Sequence, residues 1–196
     1  ITDIEVGLSD TERQIRDSVH RFARDVMRPA GEQLDRLHDP QDVIASNSIL
    51  WDVFKKHREA GLADIEGTTA GLSPFERARL RAITSEEMGW GDSGLAISLG
   101  VANFHKTFAM MSGRPALIDR FVRGGQDEIG CWAVTEPDHG SDSLTFTEPH
   151  FSDSAIRANC IATRDGDDYI IRGQKSGWVS NGTMATVAAL FCTIDP

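Results

Sequence analysis

Helical periodicity occupies the chain from about residue 9 to residue 122 and stops at Gly124-Gly125. Beyond it lie only short β-type runs separated by turn residues. A chain ordered in this way does not alternate strands with helices, so it segregates the two rather than winding a parallel βαβ sheet. The expected class is α+β: an N-terminal α-helical bundle over residues 1–125, then the first part of a β domain over 126–196. About seventy residues with few strands do not readily close a sandwich or barrel, so the β portion is expected to be incomplete.

The helical part carries its own punctuation. Ser9 with Glu12 fits a capping box. Ile15, Val19, Phe22, Ala23, Val26 and Met27 then recur at helical spacing, and Pro29 is expected to halt the run. A second helix is expected over 44–60, with Leu50, Val53, Phe54 and His57 inward and Gly61 as its stop. The Gly/Thr-rich stretch 63–72 reads as a loop. Ser73-Pro74 with Glu76 opens a helix that runs to about Met88. Gly89, Gly91 and Gly94 interrupt it. Asp92 or Ser93 can cap a further helix over 95–108, and a last one covers 115–122. In the β part, 129–135, 155–163, 169–172 and 187–194 read as strands, with Asp165-Gly166 as a turn.

Charge and cysteines exclude several classes. The net charge is -10, which argues against nucleic acid as a partner, since binding it needs a basic stripe. Cys131, Cys160 and Cys192 are odd in number and far apart, so neither a zinc site nor a disulfide framework is expected, and a reducing compartment is the default. The six histidines share no spacing, and no metal is expected. Apolar runs such as 187–192 are too short for a transmembrane segment, and no signal-peptide pattern opens the chain, which begins at Ile1. Glu86-Glu87 reads as a solvated face or a salt bridge rather than an acid/base pair, because helix neighbours diverge.

Two segments carry chemistry. The first is Trp132-Ala133-Val134-Thr135-Glu136-Pro137-Asp138-His139-Gly140-Ser141-Asp142, a strand entering a Pro/Asp/Gly/Ser turn. Such a turn presents backbone N–H groups, with the Thr135 and Ser141 hydroxyls, to one ligand, and a flavin dinucleotide needs such neutral donors. The second is Gly173-Gln174-Lys175-Ser176-Gly177-Trp178-Val179-Ser180-Asn181-Gly182, where Trp178 can lie against a flat ring and Ser180 can donate to it. Taken alone, each segment is equally well read as an ordinary turn beside a core tryptophan.

Together they resemble the acyl-CoA dehydrogenase family. Its middle domain carries T-E-P-x-x-G-S-D, then a hairpin, then G-x-K followed by an aromatic, an aliphatic, Ser or Thr, and Asn. Residues 135–142 match the first in every fixed position, and Trp178-Val179-Ser180-Asn181 match the second. Lys175 and Trp178 are separated by two residues where most members have one. Leu8 to Glu12, Glu86 to Gly94 and Gly130 to Thr135 also look familial, so the resemblance spans nearly the whole chain.

The resemblance implies FAD, bound without a Rossmann glycine motif, against Trp132, Ala133, Val134, Thr135, Gly140, Ser141, Trp178, Val179 and Ser180. Thr135 and Ser180 would address the isoalloxazine. Ser141 would sit where pyrophosphate and the CoA arm converge. The implied reaction is α,β-dehydrogenation of an acyl-CoA, as in fatty acid β-oxidation. The family's base sits in a C-terminal helical domain that is expected to lie outside this chain, so no catalytic residue is assigned. Further implications are an electron-transfer flavoprotein or similar acceptor as partner, a homo-tetramer or a heteromer of related subunits, and a bacterial cytoplasm or mitochondrial matrix. Two alternatives stay open: a same-fold flavin oxidase or monooxygenase, and a non-catalytic subunit of a heteromeric flavoenzyme. Ala96, Gly100 and Phe104 are expected on one face of the 95–108 helix, lining the far end of an acyl pocket; close helix packing is the equal alternative for the small residues.

Overall fold

The first helix begins where the sequence places its cap. The Ser9 hydroxyl accepts from the Glu12 N–H, while the Glu12 carboxylate accepts from the Ser9 N–H at 2.8 Å. The computed structural model describes residues 5–125, 127–140, 147–149, 153 and 156–195, without the side chains of residues 65 and 66. It divides into two compact units, Ile1–Gly100 and Val101–Pro196.

In the first unit, α1 (Asp10–Phe22) packs on α6 (Pro74–Gly91). Val19 on α1 and Leu80 and Ile83 on α6 are buried, and Gly91 lies so close to the residue after α1 that a Cβ there would stand 2.9 Å from the Ala23 methyl. Pro29 does not end the first helix. A π turn, Ala23–Met27, intervenes, and the Arg28 N–H returns to the Ala23 carbonyl. The widened turn makes room for the proline ring, so α2 (Arg28–Leu34) continues through it. A short α3 (Pro40–Val43) follows, capped by Asp39. The next helix, α4 (Ile49–Glu59), starts later than expected because the Ser48 hydroxyl caps it. Leu50, Val53, Phe54 and His57 are buried as read, and Gly61 follows at φ 72°. Part of the expected loop 63–72 is helical, as α5 (Ile65–Thr68). Ser73 and Glu76 form the second capping box, and α6 runs past its glycines to Gly91. Glu87 meets His20 Nδ1 at 2.7 Å, bridging α6 to α1. Asp92 then accepts from the Leu95 N–H at 2.7 Å and starts α7 (Ser93–Val101).

The single helix expected over 95–108 is two helices. The chain turns at Ala102-Asn103, and α8 (Phe104–Met111) begins afresh. The break frees the Ala102 carbonyl to accept the Gly130 N–H at 2.9 Å. The last helix is α9 (Pro115–Ile118), continued by a π turn, Asp119–Arg123.

In the second unit, α8 packs on β1 (Gly130–Ala133) and β4 (Val187–Leu190), which pair in parallel. β2 (Ile161–Asp165) pairs antiparallel with β3 (Asp168–Arg172) across the Gly166-Asp167 turn, and parallel with β5 (Thr193–Asp195). Two strands differ from the sequence expectation. The 155–163 strand begins only at Ile161, because the Asn159 and Cys160 N–H groups bond the Glu136 carboxylate instead of a ladder. The 187–194 strand is two strands. The Phe191 N–H goes to the Ala133 carbonyl and the Thr193 N–H to the Cys160 carbonyl, so the chain passes from one sheet to the other. The two sheets have two and three strands, and among the described residues no barrel closes. No helix of the described residues is long and apolar enough to cross a membrane.

Candidate functional site

The site is built outward from β1. Its first residue must be small: a Cβ on Gly130 would stand 2.6 Å from His105 Nδ1 and 2.9 Å from the Ala102 carbonyl oxygen. Two residues on, Trp132 meets Phe104 edge-on at 5.1 Å and Phe191 at 6.2 Å, and Phe191 in turn meets Phe108 at 5.6 Å. Such T-shaped pairs fix ring orientation as well as burying area. The Trp132 indole N–H is buried and, among the described residues, has no acceptor. A donor left so is costly unless a ligand or water completes it.

Ala133 and Val134 are buried, and Thr135 is half-buried. The Glu136 N–H donates to the His139 carbonyl at 2.7 Å, closing a tight turn that brings Gly140 back beside Thr135. Ser141 and Asp142 lie outside the described residues.

The second segment closes on the same place. The Ser176 N–H donates to the Thr135 carbonyl at 3.1 Å, and the Asn181 side-chain amide donates to the Gly130 carbonyl at 3.1 Å. Gly177, between Lys175 and Trp178, adopts φ 75°, a left-handed conformation that glycine takes without strain. Trp178 follows at 89% exposure, with Val179 and Ser180 half-buried. Among the described residues, neither the Thr135 nor the Ser180 hydroxyl has a hydrogen-bond partner. The two segments therefore offer a flat indole face, the Thr135 and Ser180 hydroxyls and, on the strand, an indole N–H without an acceptor among the described residues. A planar heterocycle with several acceptors fits this set of groups.

Glu136, Lys175, Asn181 and Phe191 shape the site, yet pattern reading gave none of them a role. For Glu136 the usable signal is an acid two positions after the apolar run 131–134. For Asn181 it is a residue tolerant of positive φ, and its φ is 64°. Burial pushes the Cys131 and Cys192 thiols up, which disfavours nucleophilic roles for them. Among the described residues no cluster of three His, Cys, Asp or Glu could hold a metal.

The sequence pattern of the acyl-CoA dehydrogenase N-terminal domain matches residues 9–124. The chain belongs to the acyl-CoA dehydrogenase family. The mitochondrial 2-methylacyl-CoA dehydrogenase of Solanum tuberosum is 26% identical over 200 residues, covering 96% of this chain and 42% of the relative. Among solved structures, a nitroalkane oxidase active-site mutant crystallised with 1-nitrooctane superposes with a TM-score of 0.75 at 17% identity, over 97% of this chain and 44% of that one. An FAD complex of PigA superposes with a TM-score of 0.69 at 22% identity, over 98% and 46%. At these identities the structural likeness shows the shared fold. The chain spans less than half the length of the relatives it matches.

In this acyl-CoA dehydrogenase family member the expected pocket residues are not on one helix. Ala96 and Gly100 stand one turn apart on α7, whereas Phe104 opens α8 and packs on Trp132. Among the described residues nothing packs closely on Gly100: it is exposed, and a Cβ there would meet nothing within 4 Å. Gly100→Ala is therefore expected to stabilise the protein, by up to about 1 kcal/mol, through helix propensity alone. Thermal unfolding checks this, and a destabilised variant would show a contact at Gly100 that the fold does not provide.

Proposed function

We propose that the protein is an FAD-dependent oxidoreductase that dehydrogenates an acyl-CoA thioester across its α and β carbons. The observation that carries this reading is the meeting of the two motif segments at Thr135, whose carbonyl and methyl lie against the loop of Trp178 and Ser180. Family membership supports it, as do the acyl-CoA substrate named for one relative and the FAD held by one structural neighbour.

Trp132, Ala133, Val134, Thr135 and Gly140 on one segment, and Trp178, Val179 and Ser180 on the other, are assigned to the cofactor. Ser141 is assigned to its pyrophosphate on motif alone. When bound, the flavin supplies two-electron acceptance, which no side chain offers. The chain's own part is to hold the ring by Thr135, Ser180 and Trp178, and to exclude water around it. In the substrate the α proton leaves to a base and the β hydrogen leaves with its electron pair; no described residue is assigned the base. Ala96, Gly100 and Phe104 are kept as candidates for the far end of the acyl pocket. We assign residues 1–125 to the helical domain and 126–196 to the β domain, a division supported by the end of the family match at residue 124. The proposed partners are acyl-CoA and an electron-transfer flavoprotein or similar acceptor, the assembly a homo-tetramer or heteromer of related subunits. The location is a mitochondrial matrix or bacterial cytoplasm.

The test uses the full-length protein. It should purify yellow with FAD rather than FMN, and Trp178→Ala should weaken FAD binding several-fold, since a stacked aromatic contributes on the order of 1 kcal/mol. A colourless protein that gains no flavin spectrum when FAD is added would end this reading. Slow reoxidation of the reduced protein by oxygen separates a dehydrogenase from a same-fold oxidase.

A further inference from the structure

The Lys175 ammonium reaches two acceptors that straddle one residue. It donates to the Val134 carbonyl at 2.9 Å and to Glu136 Oε1 at 2.7 Å. One position on, the Ser176 N–H donates to the Thr135 carbonyl between them. Residues 134, 135 and 136 are thus each gripped by residue 175 or 176.

The pair is desolvated. The Glu136 side chain is 0% exposed and that of Lys175 10%. Glu136 also accepts from the Asn159 N–H at 2.6 Å and the Cys160 N–H at 2.9 Å. Burial pushes the Glu136 carboxyl up, but the Lys175 hydrogen bond and the two backbone donors outweigh it and hold the carboxyl below its usual range. Stability alone does not account for a buried pair of this kind, because apolar replacements of similar volume are often neutral or stabilising. An ammonium with two acceptors at fixed distances does something an apolar contact cannot. It sets the register of one segment against the other.

We propose that Lys175 and Glu136 are positioning residues for the flavin: together they clamp the segment carrying Thr135 to the loop carrying Trp178 and Ser180, so that both meet one ring. This rests on the FAD reading above and extends it to two residues whose charges take no part in the contacts assigned there. Gly177, next to the clamp, lies against the Thr135 methyl: a Cβ there would stand 3.8 Å from it. A shift of the clamp therefore moves both segments' donors relative to each other.

The experiment compares full-length wild type, Lys175→Met and the double variant Glu136→Gln/Lys175→Met. It measures melting of the apoprotein, FAD dissociation constant, flavin absorbance spectrum and midpoint potential. Lys175→Met should lose both melting temperature and FAD affinity, since it strands a buried carboxylate. The double variant removes that stranded charge and should regain most of the melting temperature. Its FAD affinity should stay about 10–100-fold weaker, as for other residues that orient a binding group from behind, with a shifted spectrum and potential. If the double variant does not fold, Glu136→Gln/Lys175→Gln keeps polar groups at both positions and is read in the same way. A folded double variant with wild-type FAD affinity, spectrum and potential would make the pair purely structural and overturn the inference. A wild-type protein that takes up no FAD would instead remove the reading beneath it.

Discussion

Arg79→Met is expected to cost the first unit about 3–5 kcal/mol, the range for breaking a buried ion pair on one side. Arg79 grips Glu12 with Nη2 at 2.5 and 2.6 Å and Nε at 2.8 Å, and the Glu12 side chain is 0% exposed against 14% for Arg79. Without the guanidinium the carboxylate is left buried, held among the described residues by the Ser9 N–H and hydroxyl. Glu12→Gln/Arg79→Met should recover most of the loss, because glutamine still serves the capping box. The pH dependence has a definite sign. Burial pushes the Glu12 carboxyl up, but the Arg79 and Ser9 hydrogen bonds outweigh it, and the folded value lies below the ordinary one. The contribution is therefore complete above about pH 4.3, the unfolded value, and is lost as pH falls through the folded value. Denaturant titration at neutral and acid pH checks both parts. A wild-type midpoint for Arg79→Met at neutral pH would refute the first, and an unchanged acid limb in Glu12→Gln the second.

Gly173→Ala should destabilise the second unit by about 3 kcal/mol or more, combining backbone strain with overpacking. Gly173 has φ 147°, where L side chains are disfavoured, and a Cβ would overlap Cys160 Cα and stand 2.9 Å from its Cβ. The obstacle includes backbone, so no rotamer change relieves it. Gly166→Ala is the internal control: φ is 64°, but a Cβ there meets nothing within 4 Å, leaving strain of about 1–2 kcal/mol. Equal melting temperatures for the two variants would mean that the approach to Cys160 is not closed as described.

Three helix caps were the most legible part of the chain. Ser9, Ser73 and Asp92 are caps with local chemistry, and each works within three residues of itself. Helix ends and breaks were less so, because tertiary partners decide them. Pro29 is accommodated by a π turn and the helix passes it, whereas the apolar run through Ala102 breaks without any proline to give its carbonyl to Gly130. The same holds in the site. Thr135 and Trp178 carry motif chemistry that a sequence displays. The Glu136–Lys175 bridge joins positions 39 apart, and nothing in the spacing of either residue announces it. The division of 187–194 into two strands likewise follows from Ala133 and Cys160, both far upstream.

The parallel pairing of β1 with β4 also bears on how the chain is made. Ile129 meets Thr186 across 57 residues, whereas β2 and β3 close through a two-residue turn. Loop-closure entropy lets the hairpin form early and defers the long pairing until the intervening segment has collapsed. On a ribosome adding about 5–20 residues per second, β1 is synthesised and then waits on the order of several seconds before its partner strand exists. Through that interval the edge of β1 that will meet β4 stands unpaired, a template for mispairing with other nascent chains and a natural place for a chaperone to bind.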